Sequence, residues 1–397
     1  MKILVLCDRF PYPLENGQNL RIFHYVRELA ARHAFDLLCY ADPGAAAPAP
    51  IRPLFRSVRT FPRPRGAPAS GVSRLLAAFR LDEFCPRSDA VAAFLAREGR
   101  AADWDLVWIS GWDMVVNLPA EFEFPVLMDA VDEGVLEHVR ELKRARSPGA
   151  AARTLKRLLM NYRFERRYFR PADACLFVSE VDAAFFSKVS PGTPTHVVHN
   201  GVDTDHFKPG SGGESNHDVV FEGNMSFPPN ADAAVYFASS VLPLIRARVP
   251  GVRFRIVGKN PAPEVAALAG ADVEVTGFVD DVRPYLDRAA VFVCPLRKGA
   301  GIKNKILQAW AMGKAVVATS ASTGGLAVRE GENILVRDDP AGIAEAVVEL
   351  LENPVRRKSL AAAARATVEA RYGWARQARA LEAVMSGLVR SGEVAHA

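Results

Sequence analysis

The stretch 291–313, V-F-V-C-P-L-R-K-G-A-G-I-K-N-K-I-L-Q-A-W-A-M-G, decides how the rest of the chain is read. Residues 291–294 are a continuous apolar run, the pattern of a parallel strand covered on both faces. Pro295 stops it, and a loop with Gly299, Gly301, Arg297 and Lys298 follows. From about Ile302, apolar residues recur at Ile306, Leu307, Trp310 and Ala311, which predicts a helix. A strand, a glycine-rich loop and a helix together suit an anion. The helix start offers unpaired N–H groups and partial positive charge, and glycine lets the backbone come close. Arg297, Lys298, Lys303 and Lys305 crowd that helix start, where cations oppose the helix dipole. A bound diphosphate would relieve that cost; a merely solvated loop is the alternative.

Two other phosphate motifs fail on spacing. Asn304 stands where the third glycine of the dinucleotide fingerprint belongs, and no acidic residue follows about twenty positions on. No G-K-[ST] appears either, so the loop is not a P-loop.

Outward from this stretch, short apolar runs alternate with helical patterns. Strands are predicted at 2–7, 34–40, 57–61, 106–110, 126–129, 174–179 and 196–199, then at 219–223, 254–258, 273–276, 291–295, 315–319 and 334–336. Helical patterns at 20–32 and 90–97 lie between the earlier ones. Such alternation predicts parallel sheets covered by helices, and two series predict two doubly wound α/β domains. A chain of 397 residues has the length for two cores. The expected division is a first domain at 1–199, a polar Gly/Ser/Pro-rich linker at 200–216, a second domain at 217–372, and a closing helix at 373–397 that crosses back to the first. Consecutive helices are expected at 341–351, 354–371 and 374–389. The Pro-rich segments 43–53 and 62–68 read as surface loops.

Composition narrows the class. The chain is 49% hydrophobic and 24% charged, which is globular. No run approaches the length of a membrane span, and the apolar start at 2–7 is too short for a signal sequence. Cys7, Cys39, Cys85, Cys175 and Cys294 are dispersed without C-x-x-C spacing, so reduced thiols in a cytoplasmic protein are expected, with neither disulfides nor a zinc site. The net charge of +5 is uneven: residues 140–170 hold eleven Lys/Arg against two acids. A solvated helix face explains this, and so does contact with an anionic membrane surface, since Leu158, Leu159 and Tyr162 interleave with Lys156, Arg163, Arg166 and Arg167. Nucleic acid would suit the same composition, but no recognition motif supports it.

The run from Gly299 to Thr319, G-A-G-I-K-N-K-I-L-Q-A-W-A-M-G-K-A-V-V-A-T, resembles the donor-site region of family 4 retaining glycosyltransferases. More narrowly, it is similar to sugar transferases of bacterial exopolysaccharide clusters associated with exosortase systems. Further pieces match in order: G-Q-N-L-R from Gly17, H-N-G-V-D-T-D-H-F-K-P from His199, F-E-G-N-M-S-F-P-P-N-A-D-A from Phe221, F-R-I-V-G-K-N-P from Phe254, V-T-G-F-V-D-D-V-R-P-Y-L from Val275, and R-Y-G-W from Arg371.

The resemblance implies the GT-B fold, two Rossmann-like domains facing each other across a cleft, and a nucleotide-sugar donor held by the second. It implies a saccharide or lipid-linked acceptor, retention of configuration and no metal. By position it implies that Lys303 and Lys305 meet the diphosphate, with Gly223, Asn224, Gly299, Gly301, Ile302 and Asn304 around it. Gly17 and Gln18 would face the same groups from the first domain; a simple strand-to-helix turn is the other reading. Gly277, Phe278 and Val279 would lie against the base, and Gln308 would bind the ribose; core packing is the other reading of Phe278. Ala300 and Gln308 stand where the broader family has its Glu-x7-Glu pair, and the amide of Gln308 still accepts and donates hydrogen bonds.

Asp203-Thr204-Asp205 has the spacing of a metal-binding pair but reads as turn chemistry. Asp129 ends a strand where open α/β sheets place ligands, which makes it the acidic catalytic candidate of the first domain. Asp132 serves equally as a helix cap, and His24 and His138 read as ordinary helical histidines. Alternative functions are a nucleotide-binding scaffold without turnover, suggested by Ala300 and Gln308, and a nucleotide-sugar epimerase of the same fold.

Overall fold

The computed structural model describes residues 1–64, 81–99, 102–119, 122–145, 147–210, 215, 217–299 and 301–396. Ala300, most of the segment 62–68, Arg146 in the basic stretch, and 211–214 and 216 in the expected linker lie outside the described residues. The chain forms two compact units, Met1–His199 with Gln377–Ala397, and Asn200–Arg376.

In the first unit, strands β1 (Lys2–Cys7), β2 (Ala34–Tyr40), β3 (Ser57–Phe61), β4 (Leu106–Ser110), β5 (Val126–Val131), β6 (Ala174–Phe177) and β7 (Thr195–Val197) form one sheet in the order β3-β2-β1-β4-β5-β6-β7. Every pairing is parallel. The runs Ile3–Cys7 and Leu106–Ser110 are buried throughout, as expected where crossover helices cover both faces. The order reverses beside β1. Such a reversal opens a crevice at the carboxyl ends of the two strands that flank it, here β1 and β4.

The second unit repeats the plan. Strands β8 (Asp218–Glu222), β9 (Arg253–Val257), β10 (Val273–Val275), β11 (Val291–Cys294), β12 (Ala315–Ala318) and β13 (Leu335–Val336) form a parallel sheet in the order β10-β9-β8-β11-β12-β13. Here the switch falls between β8 and β11, and Val291–Cys294 are fully buried. Both units are therefore Rossmann-like doubly wound α/β domains.

The ends of β8 and β9 come together closely. A Cβ on Gly258 would lie 1.8 Å from the carbonyl oxygen of Gly223, and φ is +144° at Gly258. Only glycine fits there.

The last helix, Trp374–His396, is longer than the pattern suggested. Its residues from Gln377 belong with the first unit, where Arg32 and His33 both bind Glu382. The segments where the chain passes between the units are tied within each unit. The Gln377 side chain accepts from the His199 N–H at 3.1 Å, and the Val202 N–H donates to the Tyr372 carbonyl at 2.7 Å. Asp203 folds its own turn, accepting from the Asp205 and His206 N–H groups; this is the turn chemistry expected of it. All five cysteines are buried and unbridged, including Cys85, which lies outside any obvious strand pattern.

Candidate functional site

The loop after β11 and the turn after β8 flank the switch point of the second sheet. The helix Asn304–Ala311 starts two residues later than its apolar pattern suggested. Gly301, at φ 63°, and Lys303, in extended conformation at the N-cap, continue the loop to that point. Among the described residues no side chain caps this helix, so its N-cap offers no side-chain acceptor to its first amides, which suits an anion. Ile302 is buried, and Asn304 accepts from the Asn200 side chain at 3.1 Å. The first residue of the second unit is thereby fastened to the first turn of the helix.

Lys305 reaches back to the end of β8. Its ammonium donates to the Glu222 carbonyl at 2.7 Å and to the Asn230 side-chain oxygen at 2.9 Å, and lies 4.5 Å from the centre of the Phe221 ring. A Cβ on Gly223 would lie 2.7 Å from this ammonium, so the lysine occupies the space a side chain at 223 would take. Burial pushes the Lys305 ammonium below the usual lysine range, opposed by the nearby Cys294 and Glu222. The Glu222 carboxyl is itself pushed up by burial and held back by Lys305. Lys303 folds over the loop: its ammonium donates to the Gly301 carbonyl at 3.0 Å and lies 3.0 Å from a Cβ placed on Gly299. Asn224 shapes the opposite turn, accepting from the Ser226 N–H and hydroxyl.

One assignment made from sequence, Asp129, needs correction, and Arg297 and Gln18 have partners that sequence did not show. Asp129 is fully buried, and its carboxylate accepts from the Arg21 Nε at 2.7 Å in an ion pair with no exposure on either side. Arg21 also donates to the Val198 carbonyl at 2.6 Å, and Tyr25 donates to the His199 carbonyl at 2.6 Å. Asp129 thus anchors the end of the first unit and cannot reach a substrate. Arg297 is committed to Asp232, donating at 2.9 Å through Nε and again through Nη2, and it lies 4.8 Å from the Tyr236 ring centre. Its charge is neutralised at the wall of a pocket of about 400 Å³ that Ser226, Ser240 and Glu264 also line. Gln18 spends its amide N–H groups on Asp8 at 3.1 Å and the Ser110 carbonyl at 3.0 Å, tying β1 to β4, while Gly17 opens the helix Gly17–Leu29.

The remaining residues fall as follows. Phe278 is 70% exposed, which removes the core-packing reading. Gly277, at φ 68°, has open space where a side chain would go, and Val279, like Gln308, is half-buried. Lys298 is exposed. Glu133, not Asp132, caps the helix Gly134–Lys143. His24 is buried, and His138 lies 3.2 Å from Glu141. Sequence reasoning missed Asn230 and Asp232 on the helix Pro228–Tyr236, although both lie inside a matched piece of sequence; their signal was a polar pair at i and i+2 in the opening turns of a short helix.

The two halves match two family models. Residues 16–201 match one described as "Glycosyl transferase 4-like domain", and residues 216–353 match one described as "Glycosyl transferases group 1". The chain belongs to the GT-B glycosyltransferases of the family 4 type. Within that family it is similar to a phosphatidyl-myo-inositol mannosyltransferase of Mycobacterium tuberculosis, 30% identical over 216 residues, which are 51% of this chain and 56% of that protein. The chain spans about half the length of the curated relatives it matches. Among solved structures, sucrose-phosphate synthase from Thermosynechococcus elongatus superimposes with a TM-score of 0.75 at 19% identity, covering 98% of this chain and 100% of that one. Anabaena HepE in complex with UDP-glucose does so with a TM-score of 0.67 at 16% identity, covering 98% and 100%. These two likenesses show the shared fold.

Proposed function

We propose that this GT-B chain transfers a sugar from a nucleotide-diphosphate donor to a saccharide or lipid-linked acceptor, with retention of configuration, in exopolysaccharide synthesis at the cytoplasmic membrane face. One observation carries the reading. Lys305, the Gly223 turn and the Gly299–Lys303 loop converge on the switch point of the second sheet. As the bond between sugar and diphosphate lengthens, negative charge builds on the leaving group. Lys303, Lys305 and the amides at the start of the helix Asn304–Ala311 meet that charge, so catalysis rests on electrostatic stabilisation and positioning, without a divalent cation. Gly277, Phe278 and Val279 flank the base, and Gln308 serves the ribose. The names of the mannosyltransferase relative and of the HepE complex support a nucleotide-sugar donor and a lipid acceptor.

Membrane contact belongs to the same reading. Leu155, Leu159 and Tyr162 are exposed on the helix Pro148–Tyr168 among Arg153, Arg157, Arg163, Arg166 and Arg167. Among the described residues no helix is long and apolar enough to cross a membrane, so the contact is peripheral, with apolar side chains entering the interface and cations facing anionic lipid. Vesicles rich in anionic phospholipid are expected to sediment the protein, and neutral vesicles are not.

Incubation with a panel of nucleotide sugars and candidate acceptors tests the central reading. The expected result is acceptor-dependent release of nucleotide that chelator leaves unchanged, with the product anomer matching the donor. Tight nucleotide binding with no turnover for any acceptor would overturn it in favour of a scaffold.

A further inference from the structure

Two side chains on one short helix hold the two ends of the loop that follows β11. The helix Pro228–Tyr236 starts directly after the Gly223–Asn224 turn. Asn230 is 8% exposed. Its side-chain oxygen accepts from the Lys305 ammonium at 2.9 Å, while its NH2 donates to the Asn224 carbonyl at 2.9 Å. This pairing fixes which way the amide points, because the reversed amide would set NH2 against an ammonium and oxygen against oxygen. Two residues on, Asp232 takes Arg297 through both carboxylate oxygens. Arg297 lies near the start of the loop and Lys305 just past its end, so Asn230 and Asp232 bracket the segment that carries Gly299, Gly301 and Lys303.

We propose that Asn230 and Asp232 are positioning residues for the donor diphosphate: Asn230 aims the Lys305 ammonium and sets its charge, and Asp232 pins the mouth of the loop through Arg297. The proposal rests on the diphosphate reading above and deepens it. The neutral Asn230 amide suits its task. It accepts from the ammonium without cancelling the charge a phosphate needs, whereas a carboxylate would form an ion pair with it. Glu222 and Cys294 are the titratable groups that face Lys305 from β8 and β11. Both stay unchanged in the variants below, so a shift in Lys305 titration reports residue 230. Asp232 takes up the Arg297 guanidinium and so fixes backbone rather than supplying charge, and in that arrangement the Asp232–Arg297 pair acts as one unit.

The test measures UDP and GDP affinity, and donor turnover, across pH for the full chain. Variants Asn230→Asp and Asn230→Leu, and the cycle Asp232→Asn, Arg297→Gln and their double, are compared with wild type. Asn230→Asp is expected to weaken nucleotide-diphosphate binding about tenfold or more and to move the alkaline limb of binding to higher pH, because an added carboxylate favours the charged ammonium. Asn230→Leu is expected to move that limb to lower pH. In the cycle, the double variant is expected to lose no more than the worse single variant, the signature of a coupled pair. An alkaline limb that stays put in both Asn230 variants overturns the role of Asn230, and additive losses in the cycle overturn that of Asp232. Should the wild type bind neither nucleotide, the diphosphate reading itself has failed; wild-type binding with unmoved variants rejects this inference alone.

Discussion

The two switch points share a topology and carry opposite chemistry. At the first, Asp8 follows β1 and gathers donors: the cations Arg9 at 2.9 and 2.7 Å and Arg63 at 3.0 Å, and the neutral Gln18 amide at 3.1 Å; Arg63 also pairs with Asp113. Donors and acceptors there are spent on one another. At the second, Gly223 follows β8 with no side chain, and the Lys305 ammonium fills the vacated space, held mainly by neutral oxygens. Strand order places a crevice in each sheet. On the function proposed above, a cation held by neutral acceptors suits a diphosphate, and residues that neutralise one another do not.

The largest effect that would sharpen this contrast is structural and lies in the first unit. Asp129→Ala strands the Arg21 guanidinium in the core, and loss of one member of a buried pair costs about 3–5 kcal/mol. Denaturant unfolding is expected to show that loss, with nucleotide affinity of the folded protein unchanged. A fall in affinity at unaltered stability would return Asp129 to the site.

The glycines at the two switch points give the next comparison. Gly258→Ala in the second unit drives a Cβ into the Gly223 backbone and is expected to cost about 3 kcal/mol, as forced backbone movement and strain add. Gly111→Ala in the first unit first meets the Gln18 side chain, 2.5 Å away, at φ +86°; about 1–2 kcal/mol is expected. Equal losses in thermal unfolding would erase the distinction between a backbone contact and a side-chain contact.

The smallest effect concerns pH. Glu165, on the basic helix, is buried beside Glu133, and its carboxyl is pushed up to about 10, by burial first and then by the Glu133 charge. Because its folded-state value lies above its unfolded one, the folded state binds the extra proton. The stability this group contributes is complete below about pH 4.5, the ordinary glutamate value, and is lost as pH rises toward 10. Glu165→Gln is expected to flatten the decline in stability between roughly pH 7 and pH 9, inside the range over which this contribution is lost, and a decline of unchanged slope would contradict the raised Glu165 carboxyl.

Most of the architecture was legible because parallel strands buried on both faces leave unbroken apolar runs, as at Val291–Cys294 and Leu106–Ser110. The loop that follows β11 was legible as a loop because Pro295 and the two glycines break the pattern locally. Asp129 misled, and the partner of Arg297 went unseen, for one reason. A charge at a strand end reads the same whether a partner waits for it or not, and their partners, Asp232 and Arg21, stand 65 and 108 residues away. Asn230 was missed on the same ground, since its meaning comes from Lys305, 75 residues on. Phe278 went the other way: an aromatic residue that sequence alone could have put in the core lies open to solvent beside Gly277.

The central claim is that the ammonium at the second switch point neutralises a diphosphate. Calorimetric titration of UDP and GDP into wild type and Lys305→Met tests it most directly. The account predicts a loss of affinity of about 100-fold or more in the variant, by analogy with removal of one preorganised donor, with its folded content retained by circular dichroism. Equal affinities in the two proteins would contradict it.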